Sequence, residues 1–224
     1  NNKNKIEAGF KYINTAYAFK NQEFSTEKLG LVTDLDLNKS VDMFRNFSSW
    51  KYRINENLTT VVGFQNVYLP LTQENSFEPR LSLRYQKPGK GAWSFAYGKH
   101  STMDHVANYF VKVEDKNDLI TQPNKNLALL KADHIVLGYE KRIGANHIAK
   151  LETYYQNLYD LPVENDAKSY YSTINEISGF KEFALVSEGK GKNYGVELTL
   201  ERFFSQNYYY LFTTSIYQSK YIAK

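Results

Sequence analysis

Between residues 193 and 201 the chain changes character at every step: Tyr194, Val196, Leu198 and Leu200 are apolar, and Asn193, Gly195, Glu197, Thr199 and Glu201 between them are polar or small. A strand sends successive side chains to opposite faces, whereas a helix repeats its apolar positions about every 3.6 residues, so this pattern specifies a two-faced strand. Leu81, Leu83 and Tyr85 alternate in the same way with Arg80, Ser82, Arg84 and Gln86. Trp93, Phe95 and Tyr97 alternate with small residues, and Ile135, Leu137 and Tyr139 with His134, Gly138, Glu140 and Arg142.

Extended along the chain, the alternation gives about nine strands, at 5–19, 41–53, 58–69, 77–86, 92–101, 132–142, 147–160, 185–203 and 208–221, with no competing helical period. Several run past the usual five or six residues and match the roughly 9 to 11 residues of a tilted membrane crossing. Short connections at 54–57, 87–91, 143–146 and 205–207 carry Asn, Gly, Pro or Ser suited to tight turns. They alternate with longer connections at 20–40, 70–76, 102–131 and 161–184, the rhythm of a membrane barrel with tight turns at one end and extended loops at the other. The first and last strands then run in the same direction. Neighbours closing an antiparallel barrel run oppositely, so the chain is expected to form an arc of a larger barrel.

Composition narrows the class. The 19 Tyr and 14 Phe, with 42% hydrophobic and 23% charged residues, favour β-structure over disorder. The net charge of +4 comes from 28 basic and 24 acidic residues that are interspersed, which argues against nucleic acid as a partner. With no cysteine there is no disulfide, thiolate metal site or cysteine nucleophile. No apolar run approaches the ~18 residues of a spanning helix, and the first residues lack the layout of a secretory signal. That excludes a helical membrane protein and leaves a β-barrel open, because barrel strands hide their apolar face inside a polar average.

Local motifs are weaker. Gly189-Lys190-Gly191-Lys192-Asn193-Tyr194-Gly195 has the residues of a phosphate-cradling loop without its spacing or the helix that must follow, so its glycines are expected to permit bulges or close packing. Asp34, Asp36 and Asn38 copy the start of a calcium loop, but Lys39 stands at the turn-glycine position and Arg45 at the twelfth. They are expected, with Glu114, Asp115 and Asp118, to lie in solvated outer loops. His100, Ser101, Asp104 and His105 gather the residue types of a catalytic triad without a nucleophile elbow, and are expected where a strand enters a long loop. The sequons at Asn46 and Asn57 lie in or beside strands and read as chance matches. No catalytic residue, metal site or cofactor is expected.

Several segments carry a resemblance: WKYRINENLTTVVGFQ, FEPRLSLRYQ, AWSFAYGKHS, DHIVLGYEKRIGANHIAKLETYYQNLYDLPVE and SEGKGKNYGVELTLERFFSQNYYYLFTTSIYQSKY. In order, from about Trp50 onward, they resemble the later barrel strands of TonB-dependent outer-membrane receptors, chiefly those with a carboxypeptidase-regulatory-like N-terminal domain. The resemblance implies a 22-stranded transporter barrel filled by a plug and energised through TonB, taking up a nutrient such as a siderophore, vitamin or oligosaccharide. Plug, TonB box and final strands have no counterpart in these residues, so 1–224 is expected to be a single barrel segment. The implied partners are outer-membrane lipid, the receptor's own plug, the TonB complex and a small-molecule nutrient.

In such a barrel the charged members of the alternation, Arg80, Arg84, Glu140, Arg142, Lys150, Glu152, Glu197 and Glu201, are expected to face the interior and the plug. Aromatic residues of the outer loops, Tyr109, Phe110, Tyr170 and Tyr171, are the candidate ligand contacts. Trp50, Tyr52, Trp93, Tyr208, Tyr209 and Tyr210 suit an interfacial aromatic girdle and equally suit cross-strand packing in a soluble sheet. The alternatives are a soluble secreted β-sheet module binding carbohydrate or a protein, and an esterase-like enzyme using Ser101 and His105.

Overall fold

A computed structural model describes residues 3–26, 29–114, 119–177 and 180–223. The elements in chain order are β1 (Asn4–Ser25), β2 (Gly30–Arg53), β3 (Leu58–Leu69), β4 (Glu74–Lys87), β5 (Gly91–Thr102), α1 (Val106–Phe110), β6 (Val113–Glu114) and β7 (Ile120–Thr121). They continue with β8 (Leu130–Ile143), β9 (His147–Glu164), β10 (Leu185–Ser205) and β11 (Tyr208–Ile222). Nine of these strands form one sheet, β1-β2-β3-β4-β5-β8-β9-β10-β11, antiparallel at every junction, and β6 and β7 make a small separate ribbon. Each strand of the large sheet thus pairs with the next of its members along the chain, β5 pairing with β8 across the excursion that holds β6 and β7, and β1 and β11 remain as the two edges among the described residues. The sheet is an unclosed up-and-down arc.

Pairing registers convert the period-two sequence into two faces. Ile6, Trp50, Val62, Leu81, Tyr97, Ile135, Tyr155 and Tyr194 stand opposite one another in a single row across eight strands. One residue along, on the other face, the row reads Glu7, Ser49, Gly63, Arg80, Gly98, His134, Gln156, Asn193 and Ser219. A one-residue slip at any junction would put a polar row into an apolar one, so the pattern pins the register.

The tight turns sit where turn chemistry placed them. Gln206 and Asn207 both hold positive φ, 54° and 69°, giving the two-residue turn whose twist matches a β-hairpin. Asn55 Oδ1 accepts from the backbone N–H groups of Asn57 and Leu58, both at 2.9 Å.

Two of the four expected long connections are corrected. Most of 20–40 is strand: β1 continues to Ser25 and β2 begins at Gly30, with Phe19 opposite Leu37 and Gln22 Nε2 donating to Thr33 Oγ1 at 3.1 Å. The polar residues there form ladder pairs on a two-stranded ribbon rather than a loop. Asp36 and Asn38, expected in a solvated loop, therefore lie in β2 opposite Lys20 and Ala18. Likewise β4 starts at Glu74, leaving only 70–73 as a turn, with Gln73 at φ 57°. The genuinely long connections are 103–129, which contains the one-turn helix α1, and 165–184. Asp115 and Asp118 lie outside the described residues, and Glu114 is in β6.

Candidate functional site: a loop cap on the charged face

At the long-loop end the otherwise polar face turns apolar. Leu35, Leu37, Val41 and Met43 of β2 and Val67 and Leu69 of β3 are buried beneath Val106 and Ala107 of α1 and Leu129. On the far side of the same helix turn, Tyr109 packs with Leu127 and Leu185. Connection 103–129 is thus a folded cap with a small core of its own, seated on the sheet. A fully buried apolar side chain gains roughly 1.5–3 kcal/mol, so this contact is sufficient to hold one face of the cap.

The second long connection is clipped to the first. Asn124, fully buried, donates from Nδ2 to the carbonyl oxygen of Phe183 at 2.9 Å and accepts at Oδ1 from the N–H of Leu185 at 2.7 Å. Ala128 N–H donates to Ser187 Oγ at 3.0 Å, and Gln122 Nε2 to the Tyr109 carbonyl at 3.0 Å. The two loops therefore form one unit.

The four loop aromatics occupy different parts of it. Tyr109 is 1% exposed, and its hydroxyl oxygen accepts from the N–H of Asp104 at 3.0 Å. Burial pushes its phenol well above the usual range. Phe110 packs against both buried clusters. Tyr171 meets Phe183 edge to face at 4.9 Å, and burial, then the charges of Glu176, Asp104 and Glu164, push its phenol up to about 12. Tyr170 alone of the four is fully open, 84% exposed, with its carbonyl accepting from Tyr221 Oη at 2.7 Å. In this arrangement Tyr170 offers the most open ring of the four to a ligand arriving from solvent, Phe110 and Tyr171 are half-buried, and Tyr109 is enclosed.

Below the cap lie the charged residues of the alternation. Arg84 Nη2 meets Glu140 Oε1 at 3.2 Å, and Lys150 Nζ meets Glu152 Oε2 at 2.5 Å. Glu140 faces Lys150, Glu152 faces Glu197, Arg142 and Glu201 both face Ile148 across β9, and Arg80 faces Gly98. All eight stand on the face that carries the cap. Gly138 and Gly195 floor this surface: a Cβ on Gly138 would lie 2.6 Å from Ser94 Oγ, and one on Gly195 2.7 Å from the Ile216 carbonyl oxygen.

Sequence reasoning missed the most deeply buried charged group among the described residues. Glu78, 1% exposed, accepts from Arg80 Nη2 at 3.2 Å, Ser101 Oγ at 2.5 Å and Gln65 Nε2 at 3.3 Å. It lies two residues before Arg80 and so continues the same charged alternation, which was the available signal. Ser101 is thereby committed to a carboxylate, while Asp104 accepts from His105 N–H and Asn108 Nδ2, and the His105 ring stacks edgewise on Phe19. The triad residue types are close in sequence and engaged separately. The glycines of the lysine stretch behave as expected: β10 shifts register against β9 at Gly189 and Gly191, and a Cβ on Gly189 would lie 2.5 Å from Val163 Cγ1.

No protein-family model matches the sequence, and no curated protein does. Solved structures do. The outer membrane transporter YddB from Escherichia coli aligns over 96% of this chain and 31% of its own, at TM-score 0.64 and 12% identity. The siderophore receptor PirA from Pseudomonas aeruginosa aligns over 97% and 44%, at TM-score 0.63 and 9% identity. The RagAB peptide importer in its closed-closed state aligns over 98% and 28%, at TM-score 0.65 and 14% identity. The chain thus spans less than half the length of these proteins, and it has the fold of an arc of an outer-membrane receptor and transporter barrel.

Proposed function

We propose that this chain forms part of the barrel of a TonB-dependent outer-membrane receptor, which captures a scarce nutrient at its outer end and passes it inward without covalent chemistry. The observation that carries this is the pair of rows across the sheet, one apolar over eight strands, exposed at six of them and half-buried at Leu81 and Tyr97, the other running through polar residues and glycine across nine. A soluble sheet buries its apolar face, whereas a membrane barrel turns it to lipid and keeps its polar face for the lumen. The folded cap on the polar face supports the same orientation.

Under this reading the apolar row contacts lipid, and the eight charged residues contact water or the plug. The loop unit forms the ligand-facing mouth. Tyr170 is the first contact, the half-buried Phe110 and Tyr171 lie behind it, and Tyr109 becomes available only if the cap opens. The nutrient is of the siderophore, vitamin or oligosaccharide kind.

Fractionating cells that express the full-length protein tests the class. It is expected in the outer-membrane fraction, folded only with detergent or lipid; a freely soluble, monomeric protein would refute it. For the ligand, Tyr170→Ala is expected to weaken nutrient binding about ten-fold, the loss of roughly 1–1.5 kcal/mol of aromatic contact.

A further inference from the structure

We propose that Lys190, Lys192 and Lys220 form a site for the phosphate groups of a phosphorylated lipid, on the lipid-facing side of the barrel's outer rim. The proposal rests on the membrane-barrel reading above.

Lys192 stands opposite Lys220 across β10 and β11 and opposite Asn157 across β9 and β10, and Lys190 stands opposite Ile222. Both β10 lysines keep the parity of Tyr194, so they project from the apolar face. They lie two and four residues beyond Tyr194 towards the long-loop end, about 7 and 13 Å along the strand. The row ending at Tyr155 and Tyr194 has exposed aromatic rings of the kind that settle at a membrane interface. One step further out is headgroup depth.

All three lysines are exposed, and none forms an ion pair among the described residues. Lys131, by contrast, is held by Asp160 at 2.8 Å and Glu74 at 3.8 Å. Two like charges directly opposite on paired strands repel, so Lys192 facing Lys220 is an unfavourable choice for a strand pair in isolation and a favourable one around an anion. A hollow of about 690 Å³ opens among them, with Asn157 and Tyr194 on its wall. Lysine stems lie along apolar surface while their ammonium groups reach the polar boundary. Beside them, Val196 and Ile216, 47% and 81% exposed, supply apolar surface for acyl chains. The combination selects an amphiphile over free phosphate.

The test measures binding of diphosphoryl lipid A to the full-length protein in detergent, by native mass spectrometry, for the wild type and Lys190→Gln/Lys192→Gln/Lys220→Gln. Each lysine near an anionic lipid surface contributes about five-fold, so the triple variant is expected to bind about 100-fold more weakly. The corresponding triple arginine variant should retain binding. Inorganic phosphate alone and zwitterionic phosphatidylethanolamine should not compete. If the triple glutamine variant fails to insert, Lys192→Gln alone carries the test at about five-fold. Equal binding by the glutamine variant, loss in the arginine variant, or displacement by inorganic phosphate would overturn the site. Outer-membrane fractionation separates the two readings: a wild type found in the aqueous fraction overturns both, whereas an inserted wild type whose lipid binding ignores the lysines overturns this one alone.

Discussion

Asn124→Ala should release the loop cap while leaving the barrel strands intact. The Asn124 side chain is wholly buried and spans the two long connections, donating to Phe183 at 2.9 Å and accepting from Leu185 at 2.7 Å. Truncation leaves one carbonyl and one N–H without partners in a site too tight for the lost amide to be replaced easily. At roughly 1–3 kcal/mol for each buried unsatisfied group, and allowing for partial relaxation, the docked cap should lose about 2–4 kcal/mol. Hydrogen exchange of the full-length protein in micelles reads this directly. Protection at the Leu127, Ala128 and Leu185 amides, which the loop junction holds, should fall about 30- to 900-fold, the same energy expressed as an opening equilibrium. Amides of Glu197 and Leu198, in the β9–β10 ladder, should be unchanged. Asn124→Asp keeps the acceptor for Leu185 but sets a carboxylate against the Phe183 carbonyl, so it should fall between the two. A change below about three-fold, or a loss spread evenly through β10, would show that the loops are not joined through this amide.

Three further outcomes follow from the two faces and the cap. Leu137→Arg, in the exposed apolar row beside Ile135, should cost about 2–4 kcal/mol of folding stability into lipid, read by denaturant titration in vesicles; an unaffected protein would mean this face does not meet the bilayer. Gly195→Ala drives a Cβ to 2.7 Å from the Ile216 carbonyl and 2.8 Å from Tyr217 Cβ, neither of which is a flexible chain end, and should cost about 1–3 kcal/mol in the same titration. The Tyr171 phenol is raised from 10.0 to about 12 in the folded cap, so its contribution is complete below pH 10. It is lost as pH rises from 10 to about 12, because the opened cap releases that proton first. Cap protection should therefore decline over that window, and the decline should be shallower in Tyr171→Phe.

How much of this was legible varies along the chain. The strand at β10 could be read residue by residue, because Val196, Leu198 and Leu200 face one way and Glu197 and Glu201 the other, a pattern with one structural solution. The β1–β2 ribbon was read as loop because residues 20–34 lack that clean alternation, and pairing across Asn21 and Leu35 through a bulge leaves little trace in sequence. Glu78 looked like one more polar position before Pro79, since burial is a property of neighbours, and Gln65 and Ser101 reach it from two other strands.

By itself the sequence determined the class: antiparallel strands in chain order, two chemically opposite faces, and first and last strands that run the same way and so do not pair, all consequences of side-chain period and turn chemistry that act within a few residues. Only the tertiary structure decided the cap. Asn124 meets Phe183 and Leu185 across about sixty residues, and α1 finds its apolar seat on β2 and β3, through contacts between segments that no local pattern links. The same long-range packing buries Tyr109 and leaves Tyr170 open. Periodicity fixes which way a side chain points, but what it meets there depends on chain brought in from elsewhere.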